Sequence, residues 1–434
     1  MQQEQAKPLG FWACWALVVG TMVGSGVFLL PTQLAPFGLV GLGGLLVAGA
    51  GAITLALVFS RLASRTRRSG GPYVYVQEAF GDFLGFINAW ALWVSYWIAI
   101  PIVAVAFVGY LVVFIPGLAD NPAGQALSAL GVTWTLTLIS ARGLREASFV
   151  QIAMTSLKIV PLAVIVGLGF VVGSPANLPA FNPTGAAILP TLATVALLAL
   201  WPFTGFEVGV MPAGNVVNPE RTIPRALVIG MVTVAAVYLA ATVAVMLIVP
   251  AGALTHSTAP FADAARTLGP WGPQLIAGGA LIAMAGTLNG VLFCCGQLPM
   301  AVAIDRLAPA VLARTNRGAS PYVSLLLSAI LGSILLLANY TRGLVGAYTF
   351  LVTMSTMISL LPYFFSALAE LRHSWRSARG WAAVAIFAAG YSLFAMFGSG
   401  WDVLWQGAVL IVAGMPIYYI FRRARAARLA SQNV

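Results

Sequence analysis

Gly20-Thr21-Met22-Val23-Gly24-Ser25-Gly26-Val27-Phe28-Leu29-Leu30-Pro31 is a glycine-rich interruption inside a long apolar run. Lipid offers no water to a free N–H or C=O, so such a break persists only where it is buried in protein or lines a cavity. Backbone groups released there become ligands for a polar solute. A second apolar run is interrupted at Trp201-Pro202-Phe203-Thr204-Gly205-Phe206-Glu207. Two broken spans in corresponding positions predict a binding site at mid-membrane, of the kind that secondary transporters build.

Composition supports the membrane reading. The 434 residues are 60% hydrophobic and 8% charged, against about 25% charged in ordinary globular domains. Mean hydropathy is +0.94. A soluble chain of this kind has no means of covering its surface, which excludes a large soluble enzyme. The net charge of +11 sits in short clusters between apolar runs, as in loops at a membrane face, so no nucleic-acid partner is expected. Cys14, Cys294 and Cys295 fall inside apolar runs, and His256 and His373 are far apart in loops. No disulfide framework, metal site or cofactor is expected from them. The N-terminus lacks the pattern of a cleaved signal peptide.

A crossing helix needs about 20 apolar residues. Runs of that kind start near Phe11, Gly41, Phe83, Gln125, Phe149, Pro190, Ala226, Trp271, Tyr322, Leu344, Trp381 and Val403, predicting twelve spans in an all-α integral membrane protein. The basic residues test this count. Lys7, Arg61, Arg65, Arg67, Arg68, Arg142, Arg145, Arg221 and Arg225 fall on one side under it. So do Arg306, Arg314, Arg317, Arg372, Arg376, Arg379 and the tail Arg422, Arg423, Arg425 and Arg428, leaving Arg266 and Arg342 opposite. The positive-inside rule then puts both termini in the cytoplasm of a multi-pass inner (plasma) membrane protein. The Arg-rich tail is expected against anionic lipid heads. The breaks lie in spans 1 and 6. An odd offset of five makes the second half enter the membrane in the opposite sense, as in an inverted repeat. Its halves are residues 1–175 (spans 1–5) and 176–370 (spans 6–10), with spans 11–12 and the tail in 371–434.

These motifs carry a family resemblance over nearly the whole chain. Gly24-Ser25-Gly26-Val27-Phe28-x-x-Pro31 resembles span 1 of the amino acid–polyamine–organocation transporters. Ser69-Gly70-Gly71-Pro72-Tyr73-Val74-Tyr75, continuing to Phe80-Gly81, resembles their loop after span 2. Asn218-Pro219-Glu220-Arg221-x-x-Pro224 and Ser257-Thr258-Ala259-Pro260-Phe261 are similar to their segments after spans 6 and 7. The nearest branch is that of the bacterial basic amino acid/polyamine antiporters, including arginine/agmatine and putrescine/ornithine exchangers. The resemblance implies a LeuT-type 5+5 inverted repeat with broken helices 1 and 6, working by alternating access. It implies that Gly24, Ser25 and Gly26 cradle a substrate carboxylate, that Trp201 closes over the substrate, and that Glu207 is the span 6 carboxylate. The chain departs from the arginine/agmatine pattern twice. Thr21 stands in place of an asparagine, and Val291 in place of the span 8 tryptophan that faces the guanidinium.

The polar residues also speak for themselves. Glycine permits positive φ and close approach of main chain to ligand, and a helix N-terminus favours a carboxylate. Gly24, Ser25, Gly26, Thr204 and Gly205 are therefore substrate-site candidates, with close helix packing as the structural alternative. Glu207 is the one carboxylate placed deep in a span, where a charge costs at least about 2.5–3.5 kcal/mol and marks a substrate or proton path. Its structural alternative is a cap on the unwound backbone at Gly205. Lys158 is the one deep cation, roughly 13 Å inside span 5 if that span enters near Phe149. It resembles the lysine that stands in for sodium in relatives, a coupling role, or else it is a carbonyl clamp. Trp90, Trp93, Tyr96 and Trp97 form a stripe on span 3, either a cation–π wall or packing. The expected function is exchange of amino acids, or of an amino acid for its polyamine product. The rival is proton-coupled movement of neutral amino acids, and a membrane-embedded enzyme is remote because no nucleophile–base cluster is present. A homodimer is compatible with the sequence, which does not fix the oligomeric state.

Overall fold

The computed structural model describes residues 10–65, 71–142, 147–207, 216–316 and 318–421. Lys7, Arg67, Arg68, Ser69, Gly70, Arg145, Arg317, Arg422, Arg423, Arg425 and Arg428 lie outside the described residues. All regular structure within them is helical. The principal helices are α1 (Phe11–Met22), α2 (Ser25–Leu34), α3 (Leu39–Ala63), α4 (Pro72–Phe80), α5 (Asp82–Leu111), α6 (Pro122–Arg142), α7 (Ala147–Val172) and α8 (Ile188–Leu200). They continue with α9 (Pro219–Ile248), the short α10 (Ala251–Leu254) and α11 (Pro260–Ala264), then α12 (Gly272–Ile304), α13 (Tyr322–Asn339), α14 (Gly343–Ser374), α15 (Arg379–Phe397) and α16 (Trp401–Val412).

Seven continuous helical stretches among the described residues are long and apolar enough to cross a membrane, and α1 with α2 makes an eighth, bent by 45°. One of the seven, Tyr322–Ser374, holds both α13 and α14, joined by a 3₁₀ turn at Tyr340–Arg342. The apolar segments Lys158–Val172 and Ile188–Phe203 are shorter. The 21-residue α6 is not among these apolar helices; its sequence is diluted by Gln125, Ser128, Thr133, Thr135, Thr137 and Ser140. Thr137 hides its hydroxyl by donating to the Thr133 carbonyl at 2.7 Å. The chain is thus a multi-pass membrane protein in which every expected apolar run coincides with a helix. The seventh run begins earlier than expected, at Pro219 rather than Ala226, because Pro219 suits a first helical turn.

Small residues set how closely the helices approach. A Cβ on Gly44 would stand 2.2 Å from Val195 of α8, and one on Gly51 would meet the Tyr391 ring of α15 at 2.3 Å. α3 therefore lies tight against α8, α9 and α15. α5 is the central post, 94% buried over its apolar window, and packs against α12, α13 and α14. The aromatic stripe on α5 divides accordingly. Trp90 donates its indole N–H to the Leu410 carbonyl of α16 at 2.8 Å, and Trp93 donates to Ser328 of α13 at 2.8 Å. Both are packing residues, and only Tyr96 of the stripe reaches the interior cavity. Two further expectations shift. His373 belongs to the last turn of α14 rather than to a loop. Glu207 is not the only enclosed carboxylate, since Glu370, near the end of α14, is also fully buried.

Replacing Trp90 by Phe removes one partly buried hydrogen bond while keeping a ring. The variant is expected to lose about 1 kcal/mol of stability in denaturation of the detergent-solubilised protein. Trp401→Phe, at a side chain 79% exposed, serves as the neutral control. Equal stability of the two variants would show that the Trp90 bond contributes nothing.

Candidate functional site

Span 1 is interrupted at Val23-Gly24, where Val23 leaves the helix at ψ 102° and Gly24 takes an extended φ of −163°. Any residue can adopt that φ. Glycine is required there for proximity: a Cβ on Gly24 would fall 2.2 Å from the Thr287 hydroxyl. Gly26 is hemmed in likewise, its Cβ position being 2.7 Å from Pro202 Cα in the other break. The glycines thus serve close approach, not left-handed backbone. Positive φ is used in span 6, at Gly205 (φ +98°). There α8 tightens into a 3₁₀ turn, Trp201–Phe203, and Thr204 then turns extended.

Carbonyls on both sides of the break in span 1 are approached by side chains from four different helices. Lys158 of α7 donates to the Gly20 carbonyl at 2.8 Å. The Tyr238 hydroxyl of α9 lies 2.7 Å from Met22 O and 3.1 Å from Pro202 O, bridging the two breaks. Thr287 of α12 reaches Val23 O at 3.5 Å, and Tyr348 of α14 donates to Ser25 O at 3.2 Å. Two of the carbonyls expected to hold an ammonium, those of Gly20 and Met22, are therefore already engaged. The first N–H groups of α2 have no intrahelical acceptor, and the side chain at its N-cap, Gly24, supplies none. Span 1 presents a donor pole.

Both breaks open on one cavity. Its walls include Thr21, Ser25 and Gly26 from span 1 and Trp201, Thr204, Gly205 and Glu207 from span 6. Opposite stand Ser95, Tyr96 and Ala99 of α5, then Thr287, Gly290, Val291 and Cys294 of α12, then Ser355, Ser359 and Tyr363 of α14. Of the candidate residues, Gly24 and Lys158 are not in the lining. Gly24 is covered by Thr287, and Lys158 stands behind span 1, 1% exposed, with its ammonium 3.4 Å from Thr287 Oγ1. That is the geometry of a carbonyl clamp.

Glu207 is 1% exposed and accepts three hydrogen bonds. Tyr96 donates to Oε1 at 3.0 Å, Tyr363 donates to Oε2 at 3.0 Å, and the Gly205 N–H donates to Oε2 at 3.1 Å. The carboxylate therefore ties α5 and α14 to the unwound part of span 6 and caps its backbone, while still facing the cavity. Thr21 closes the joint from the other side, its hydroxyl lying 3.3 Å from Gly205 O. Tyr363, Ser355 and Ser359 were not expected from sequence, although their spacing of four and four down one apolar helix is a polar stripe facing inward. Tyr238 and Tyr348 carried no comparable signal. Among the described residues no group of His, Cys, Asp and Glu is arranged to hold a metal ion.

Gly26→Ala forces the two breaks apart, because the atom it meets is backbone of Pro202 rather than a flexible side chain. Affinity for any cavity ligand is expected to fall at least about ten-fold, equivalent to about 1.4 kcal/mol, in calorimetry on a monodisperse preparation. Unchanged affinity would remove span 1 from the site.

Comparison with known proteins agrees with this architecture. The amino acid permease family model matches residues 9–420. The cadaverine/lysine antiporter of Escherichia coli (strain K12) is 30% identical over 383 residues, covering 85% of this chain and 84% of its own length. The arginine/ornithine antiporter of Pseudomonas aeruginosa is 28% identical over 96% of this chain and 92% of its own length. The putrescine transporter PotE of Escherichia coli (strain K12) is 28% identical over 96% of this chain and 97% of its own length. The chain therefore belongs to the amino acid permease family, within the amino acid–polyamine–organocation superfamily, and is a transporter rather than an enzyme.

Proposed function

We propose that this transporter exchanges amino acids, or an amino acid for its polyamine product, across the inner membrane by alternating access. The observation that carries the reading is the pairing of a donor pole with an acceptor in one cavity. The N–H groups at the start of α2 suit a substrate carboxylate, and Glu207 is the carboxylate acceptor in the same cavity. A zwitterion or basic amino acid satisfies both. Relatives named as antiporters of basic amino acids and polyamines support exchange over net uptake. In this reading the helices make twelve spans with both termini cytoplasmic, and residues 1–175 and 176–370 form a LeuT-type inverted repeat followed by 371–434. Trp201 closes over the substrate. Lys158 takes the place of a metal ion between spans 5 and 1, so transport needs no sodium.

Counterflow tests this directly. Proteoliposomes loaded with unlabelled lysine, ornithine, arginine, agmatine, cadaverine or putrescine are given labelled substrate outside, with and without sodium. Uptake is expected only into vesicles holding an internal substrate, and equally in both salts. Uptake into empty vesicles driven by a proton gradient would favour the neutral amino acid reading that Val291 supports, and a strict sodium requirement would remove Lys158 from its assigned role.

Glu207→Gln replaces one acceptor oxygen by a donor facing a tyrosine hydroxyl, and it removes the negative charge. A charge-assisted hydrogen bond contributes about 1.5–3 kcal/mol, so exchange is expected to slow by roughly ten- to a hundred-fold. Dicationic substrates are expected to suffer more than monocationic ones, and any pH dependence of the native rate is expected to flatten. Unchanged rate, substrate preference and pH profile together would leave Glu207 as a backbone cap alone.

A further inference from the structure

Outside the cavity the molecule holds a second enclosed carboxylate, and it lies on the way out. Along α14, Glu370 stands seven residues beyond Tyr363, roughly 10 Å further toward the face that carries the arginine clusters. Its side chain is fully buried, 0% exposed. Two guanidinium groups from the end of α3 reach it: Arg65 Nη1 lies 3.2 Å from Oε2, and Arg61 Nε lies 4.0 Å from Oε1. Ser374 donates a short hydrogen bond to the same carboxylate. Arg61 also lies over the Trp381 ring of α15, 5.2 Å from its centroid.

The layer above this cluster joins the same two helices by different means. Phe59 of α3 contacts the rings of Tyr363 and Phe206 at centroid distances of 5.6 and 5.0 Å. From the cavity outward, α3 and α14 are thus sealed first by aromatic packing and then by ions. At the opposite end of the molecule the contact is of another kind. Phe28 packs edge-on against Tyr110 and Phe261, and Thr32 donates to the Ser257 carbonyl at 3.0 Å. That contact uses rings and hydrogen bonds, with an ion pair, Asp263–Arg266, at an exposed position beside Ser257.

We infer that Glu370, with Arg65 and Arg61, is an ionic latch that closes the transporter on its arginine-rich face and must part when the cavity opens to that side. The chemistry suits a gate that water operates. A buried carboxylate cannot lose its cationic partners in a dry setting without a large penalty. Only the carboxylate is dry, Arg61 and Arg65 being about a third exposed at its rim; the latch therefore holds while α3 and α14 shield Glu370, and it releases when solvent reaches that side chain. Ser374 and Trp381 act as positioning residues, one aligning the carboxylate and the other the Arg61 guanidinium. The inference rests on the alternating-access reading, but its test requires no substrate.

Cys294 lines the cavity and serves as a native reporter once Cys14 and Cys295 are replaced by serine and alanine. The full chain is reconstituted in known orientation, and Cys294 is labelled with a membrane-impermeant methanethiosulfonate applied from either face. Glu370→Gln is expected to raise the labelling rate at least about ten-fold from the arginine-rich face, with no change from the other. The reversed pair, Arg65→Glu with Glu370→Arg, is expected to bring the rate back toward that of the parent. An unchanged rate in Glu370→Gln, an equal rise from both faces, or no recovery in the reversed pair would overturn the latch. Should Glu370→Gln fail to fold, Arg65→Gln, at a side chain 30% exposed, carries the same outcomes. Absence of exchange in counterflow with a one-sided labelling change would sink the exchange reading and keep the latch.

Discussion

Backbone polarity in a medium without water is the constraint on which this structure depends. Interrupting a helix at Val23-Gly24 exposes carbonyls and amides where each unsatisfied group costs several kcal/mol. The fold meets that cost asymmetrically. Four helices that are remote in sequence send Lys158, Tyr238, Thr287 and Tyr348 to carbonyls around the break, and the first amides of α2 have no intrahelical acceptor. The second break is met the opposite way, by an acceptor, as Glu207 takes the Gly205 N–H. A cation serves a carbonyl in one span and an anion serves an amide in the other. The two charges that look functional in the sequence are also what makes two broken helices tolerable in a membrane.

The same residues make the site a joint. Tyr238 touches both breaks with one hydroxyl, and Glu207 holds tyrosines from α5 and α14 at once. Any displacement of span 6 is felt by α5, α9 and α14 without an intervening flexible element, because packed interiors shift between discrete arrangements rather than deform continuously. A ligand that binds between the donor pole and Glu207 therefore acts on the contacts that set the relative positions of these helices.

Much of this was legible in the sequence. Apolar runs of membrane-crossing length and the confinement of arginine to alternate loops gave the helices, since both follow from the thickness and charge of the bilayer rather than from tertiary contacts. The breaks were readable for the same reason: Gly24-Ser25-Gly26 and Trp201-Pro202 interrupt apolar runs where lipid tolerates no free backbone. Eight proposed substrate residues, Thr21, Ser25, Gly26, Trp201, Thr204, Gly205, Glu207 and Val291, line one cavity. The reason first given for the glycines needed correction. Gly24 and Gly26 are small because Thr287 and Pro202 approach them, and a contact between residues more than 170 positions apart leaves no local trace.

What the sequence determined by itself is what lipid demands of any single segment: length, polarity, charge placement, and where a helix cannot continue. What only the tertiary structure decided is which partner each polar group finds. Nothing local distinguishes Tyr238 and Tyr348, which serve the breaks, from the other tyrosines of the chain. Nor does it separate Tyr96, which faces the cavity, from Trp90 and Trp93, which anchor α16 and α13. Glu370 was not singled out in the sequence, and its role appears only where α3 brings two arginines to it. Partner choice depends on distances between helices, and those are set by packing across the whole bundle, a property that no stretch of sequence contains alone.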